Sequence, residues 1–193
     1  METLTRADLM SLEQYAEQRP AFRERVLTHK RLRTVTIGPN AALYFEDRLT
    51  VQYQVQEMLR IERIFEAAAI QEELDAYVPL IPDGDNLKAT FMIEFPEVKE
   101  RRQRLAQMVG VEHRVWLRVG EERVTAIADE DLERSDAEKT SAVHFLRFQL
   151  SASMIAALKA GADLAIGIDH EAYQFALDPV GSSVRDALVA DLA

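Results

Sequence analysis

From Asp47 to Leu74 the chain reads DRLTVQYQVQEMLRIERIFEAAAIQEEL, with neither glycine nor proline. Good helix formers fill most of that stretch. Turning about 100° per residue from Val51 puts Val51, Val55, Met58, Phe65 and Ala69 on one face. Glu62 falls inside this apolar stripe, while Tyr53, Glu57, Arg60 and Ile64 line the opposite side. The pattern predicts one long helix, packed on more than one side, with its apolar face on a sheet.

Ahead of it, Thr5 and Asp8 form a capping box before Leu9, Leu12 and Ala16. Pro20 suits the first turn of a second helix carrying Phe22 and Val26. Residues 1–33 are therefore expected to form an N-terminal helical segment. The six cations Arg19, Arg23, Arg25, Lys30, Arg31 and Arg33 are expected to form a solvated amphipathic face, the alternative being a subunit or partner contact.

From Thr34 the period changes to two. Thr34–Ile37 and Ala41–Phe45 flank the turn Gly38-Pro39-Asn40 and predict a hairpin. Leu87, Ala89, Phe91, Ile93 and Phe95 alternate with Lys88, Thr90, Met92 and Glu94, the clearest half-buried strand in the chain. A helix opens at Pro96 and stops at Gly110, and strands follow over 111–119, 123–128 and 143–150. Residues 129–141 are acidic and polar and read as a surface loop or a frayed helical turn. Ser151 caps a further helix, Leu164, Ile166 and Ile168 mark a strand, a short strand follows at 173–177, and a helix fills 179–192.

Hairpins and helices alternate without a repeating βαβ unit, so the expected class is α+β: a mainly antiparallel sheet covered by helices, in one domain spanning 1–193. Composition agrees with a folded chain, at 48% hydrophobic and 29% charged residues. A formal charge of −10 argues against nucleic acid and against anionic membranes as partners. The absence of cysteine excludes a thiol nucleophile, a disulfide and a cysteine-held iron–sulfur cluster of the chain's own. No secretory pattern or membrane span is read, and the expected location is the cytoplasm.

The histidines carry the sharpest candidate chemistry. His113 shares strand parity with Val111, Val115 and Leu117, His144 with Leu146, Phe148 and Leu150, and His170 with Leu164, Ile166 and Ile168. If those strand ends lie together the imidazoles converge, and Glu62 completes a set suited to zinc or iron. Isolated histidines on half-buried strands are more often held by one backbone or side-chain partner. Tyr53, Glu57 and Arg60 offer a second candidate, as cleft residues or as an ion-pair network tying the helix to its neighbours. Arg114, Trp116 and Arg118 share a strand face where indole stacks on guanidinium. No P-loop, GxGxxG, GxSxG or HExxH is present.

Several segments together resemble a bacterial family of unknown function. They are Leu4-Thr5-Arg6 with Asp8-Leu9, Gly38-Pro39-Asn40 with Phe45-Glu46, Arg48, Tyr53 to Arg60 with Glu62, and Gly167 to Tyr173. The resemblance runs nearly end to end, and its glutamine-rich helix segment is the most distinctive part. Genes of that family tend to lie beside those for rubrerythrin-like proteins and iron–sulfur oxidoreductases. The resemblance therefore implies a role as partner or accessory beside such a redox system, in electron transfer or oxidative-stress defence, and the leading expectation is a cytoplasmic accessory protein acting as a homodimer. It carries over no catalytic residue. The alternative from the residues themselves is a small metal- or ligand-binding enzyme using the His/Glu set.

Overall fold

The computed structural model describes residues 3–130 and 139–193. In chain order its regular elements are α1 (Leu12–Arg31), β1 (Thr34–Ile37), β2 (Ala41–Phe45), α2 (Arg48–Glu62), α3 (Ala67–Tyr77), β3 (Asn86–Ile93), α4 (Val98–Gln107) and β4 (Val115–Val119). Then come β5 (Glu122–Thr125), β6 (Ile127–Ala128), β7 (Val143–Gln149), α5 (Ala152–Lys159), β8 (Leu164–His170), β9 (Tyr173–Leu177) and α6 (Ser182–Val189). The class is α+β, as expected, but the strands form two antiparallel sheets. One runs β1-β2-β3-β7-β6 and the other β5-β4-β8-β9.

The alternating residues of each sheet's inner face explain why both survive. Leu43, Phe91 and Phe148 of the first sheet bury against the same core as Leu117, Ile166 and Ile168 of the second. Helices α4, α5 and α6 add Leu105, Met154, Leu158 and Leu188 to that core. The stretch expected as one strand over 123–128 is two, because the chain leaves β5 at Ala126 and enters the other sheet as β6. Ala126 turns the corner with its N–H on the Val115 carbonyl at 2.9 Å.

The helical segment differs from expectation in three ways. Helix α1 is a single helix through Pro20, capped by Ser11, which accepts from the Gln14 N–H; the Thr5–Asp8 capping box closes only a short 3-10 turn before it. Pro20 is exposed, so its missing N–H costs one bond on the solvent side. The long helix breaks after Glu62. Arg63 takes a left-handed conformation (φ 57°), and the N–H groups of Arg63 and Ile64 both reach the Leu59 carbonyl, satisfying the helix end. Finally, the buried residues of α2 are Thr50, Val51, Val55, Gln56 and Leu59, a face rotated from the one the periodicity gave. Val51, Val55 and Leu59 pack with Leu4, Leu74 and Ile81 in a core separate from that of the sheets. Helix α2 therefore meets other helices rather than a sheet, and Glu62 is exposed at its end.

A buried arginine joins the helical layer to the sheets. Arg33 is only 2% exposed. Its guanidinium donates to the carbonyls of Phe45 (3.2 Å), Glu46 (3.2 Å) and Ala187 (3.1 Å), and it pairs with Asp191. Asp47 lies 3.6 Å away and also meets His29 while capping α2 through the Thr50 N–H. Burial pushes the Asp47 carboxyl up, but Arg33, the Thr50 amide and His29 outweigh it and hold it below the usual range. At Asp191 burial wins over the same arginine, and the carboxyl sits above its usual range.

Candidate functional site: a buried His–Asp–Thr–Glu network beneath an open cleft

Of the three histidines, His144 lies deepest. Its ring on β7 is fully buried and stacks on Phe91 at 6.1 Å between centroids. Nδ1 lies 2.6 Å from Asp129 Oδ2. Asp129 is fixed by exchanging two bonds with Phe145: its N–H donates to the Phe145 carbonyl (2.8 Å), and its Oδ1 accepts the Phe145 N–H (2.9 Å). Its backbone has φ 47°, a conformation aspartate tolerates better than most residues. On the other side of the ring, Nε2 lies 2.8 Å from Thr140 Oγ1 and 3.1 Å from the Ser141 carbonyl. Thr140 in turn donates to Glu112 Oε2 at 3.2 Å, and Glu112 is itself buried.

His113 and His170 sit at the surface above this network. The strand expected from Val111 begins only at Val115. Gly110 adopts φ 82°, and the His113 N–H returns to its carbonyl at 3.1 Å, so residues 111–114 form a 3-10 turn. The turn inverts the expected parity: Glu112 points inward and His113 outward. His113 Nε2 lies 3.9 Å from Glu112 Oε1, while His144 Nε2 lies 3.9 Å from Glu112 Oε2. One buried carboxylate thus stands between a buried and an exposed imidazole. His170, at the end of β8, faces Val109 O with Nε2 (3.1 Å) and accepts the Ala172 N–H on Nδ1 (3.2 Å), which fixes its neutral tautomer. His113 and His170 line one open cleft together with Gln107, Arg114, Glu171 and Gln174.

Glu62 does not join them. It stands exposed in the helical layer, where its charge raises the neighbouring Glu73 carboxyl after burial has done most of the lifting. Among the described residues no group of three or more His, Asp or Glu side chains is placed to hold a metal ion.

Tyr53, Glu57 and Arg60 fall in a different place. Glu57 accepts from Tyr15 (2.6 Å), from Arg19 through two nitrogens (2.7 and 2.9 Å) and from Arg60 (3.2 Å). These donors, Arg19 foremost, hold its carboxyl at about 2, well below the ordinary 4.5. Tyr15 is fully buried, and burial with Glu57 beside it pushes the phenol up. Tyr53 packs on Phe22 at 6.0 Å. The group ties α1 to α2 as an ion-pair network.

The guanidinium stacked on Trp116 is that of Arg123, at 4.3 Å from the ring, while Arg118 pairs with Asp178 and Arg123 with Asp169. Glu112, Asp129 and Thr140 were not singled out by the sequence. Alternation placed Glu112 on the polar face, and the acidic run from Asp129 read as a surface loop. Part of that loop, 131–138, lies outside the described residues, but Asp129 and Thr140 at its two ends face the interior.

Two antiparallel sheets around one core, with a helical layer on a second core, define the class. The chain belongs to the family described as protein of unknown function DUF3501, whose model matches residues 3–192. It is also similar to a solved structure from Burkholderia pseudomallei K96243, a novel protein of unknown function determined at 1.90 Å resolution. Identity is 54% over 100% of both chains, with a TM-score of 0.94. No protein of curated function matches. Among the described residues, no helix is long and apolar enough to cross a membrane.

Proposed function

We propose that the protein is a cytoplasmic accessory protein working beside a redox system of rubrerythrin-like and iron–sulfur proteins, and that the cleft of His113 and His170 is where it engages its partner. The observation that carries the reading is the gathering of the exposed His113 and half-buried His170 imidazoles, the exposed Arg114 side chain and two carboxamides on one open rim. Such a surface offers donors and acceptors to a docking protein. A chain without cysteine would serve such a system by binding, since it has no thiolates to hold a cluster. We assign the apolar corner of Ile61 and Phe65, both exposed at the turn after α2, to a second copy of the chain.

The test is a pull-down of the full chain with a purified rubrerythrin-like protein and a purified iron–sulfur oxidoreductase, under reducing and then oxidising conditions. Retention of either one, lost in the double variant His113→Ala/His170→Ala with unchanged circular dichroism, is the expected result. No complex in either condition refutes the accessory role. A complex that the double variant retains refutes the cleft as its seat.

A further inference from the structure

We propose that Asp129, His144, Thr140 and Glu112 form a proton path that opens at His113 on the rim of the cleft. The inference goes beyond the accessory role and does not depend on it.

The Thr140 hydroxyl carries the argument. It lies within hydrogen-bond reach on both sides, 2.8 Å from His144 Nε2 and 3.2 Å from Glu112 Oε2. When the ring is neutral, Nδ1–H donates to Asp129 and Nε2 accepts the Thr140 proton. When the ring is protonated, Nε2–H donates to the Ser141 carbonyl at 3.1 Å and the Thr140 hydroxyl turns to Glu112. Both states find partners without displacement of a heavy atom. A static tether needs partners for only one.

The surroundings favour transfer along this line. Asp129 holds Nδ1 at 2.6 Å and supplies the negative charge that balances an imidazolium. The Phe91 ring covers one face of the imidazole, and full burial keeps bulk water from short-circuiting the chain. At the outer end, Glu112 Oε1 lies 3.9 Å from His113 Nε2. The His113 side chain is 66% exposed and free to swing, which closes that gap. In the transfer, His113 Nε2 gives its proton to Glu112. The carboxyl turns and presents it to Thr140 Oγ1, whose own proton passes to His144 Nε2. His113 ends neutral and ready to accept a proton from the cleft, and His144 ends positive beside the Asp129 carboxylate.

The path is tested on the protein alone, labelled with 15N-histidine, by magnetisation transfer from water to the His144 ring protons. His113→Ala and Thr140→Val are expected to slow that exchange by roughly tenfold or more, while Thr140→Ser, which keeps the hydroxyl, retains the wild-type rate. The Phe145 backbone N–H, bonded to Asp129 at the same spot, reports local opening and is expected not to change. Equal His144 exchange in wild type and His113→Ala overturns the proposal. So does slowing that the Phe145 amide follows in parallel, because opening rather than the path would then set the rate. His113 is a surface residue, so its variant decides the matter even if Thr140→Val fails to fold.

Discussion

Replacing Glu57 by glutamine tests the joint between α1 and α2. The carboxylate accepts from the Tyr15 hydroxyl and from both Arg19 nitrogens and is only 14% exposed. A carboxyl held at about 2 rather than 4.5 stabilises the fold by about 3 kcal/mol at neutral pH, by linkage. Arg19 is 33% exposed and Arg60 41%, so water screens part of this. A loss of about 2 kcal/mol is therefore the expected cost of Glu57→Gln. The sign follows from the depressed pKa. The contribution is fully present above the unfolded value of 4.5 and disappears as pH falls toward about 2. Denaturant unfolding of wild type and variant at pH 7 and pH 3 measures both. Wild type should lead by about 2 kcal/mol at pH 7, with most of that margin gone by pH 3. A variant as stable as wild type at pH 7, or a gap that ignores pH, would refute the reasoning.

Two further substitutions probe other parts of the fold. Arg33→Met removes the guanidinium that pairs with Asp191 and strips three backbone carbonyls of a donor. A loss of roughly 3–5 kcal/mol is expected, read as a drop in thermal midpoint. Gly167→Ala would place its new methyl 2.4 Å from the Trp116 ring and 2.9 Å from Ala176 Cβ. A cost of about 1–3 kcal/mol is expected, together with a shifted emission from the chain's single tryptophan, since the indole must move.

How much of this was legible depends on how local the signal was. The β1–β2 hairpin, β3, and the Ser151 cap of α5 all follow from nearest-neighbour pattern and were read correctly. His144 was placed rightly on the inner face of β7, because strand alternation is strict. The misreadings arise where one residue changes the phase. The left-handed turns at Gly110 and Arg63 reset the parity of His113 and the facing of everything after Glu62. Gly110 is a visible warning of such a turn, but an arginine in that conformation is not. Glu62 in an apolar stripe looked buried only because the helix was assumed to continue. The partners of His144 were hidden for another reason: Asp129, Thr140 and Glu112 come from three separated segments, and nothing in their spacing announces that the fold joins them.

The Arg33 joint also sets an order on synthesis. Its guanidinium sits at the end of the first helix, yet two of its partners, Ala187 and Asp191, come 154 and 158 residues later. A ribosome adding about 5–20 residues per second needs roughly 8–30 s to supply them. Throughout that interval the nascent helical layer carries a cation with a half-built cradle. Docking of the helices onto the sheets therefore waits until Ala187 and Asp191 have been added, and a translational pause between Arg33 and Ala187 would prolong exposure of the unclosed seam.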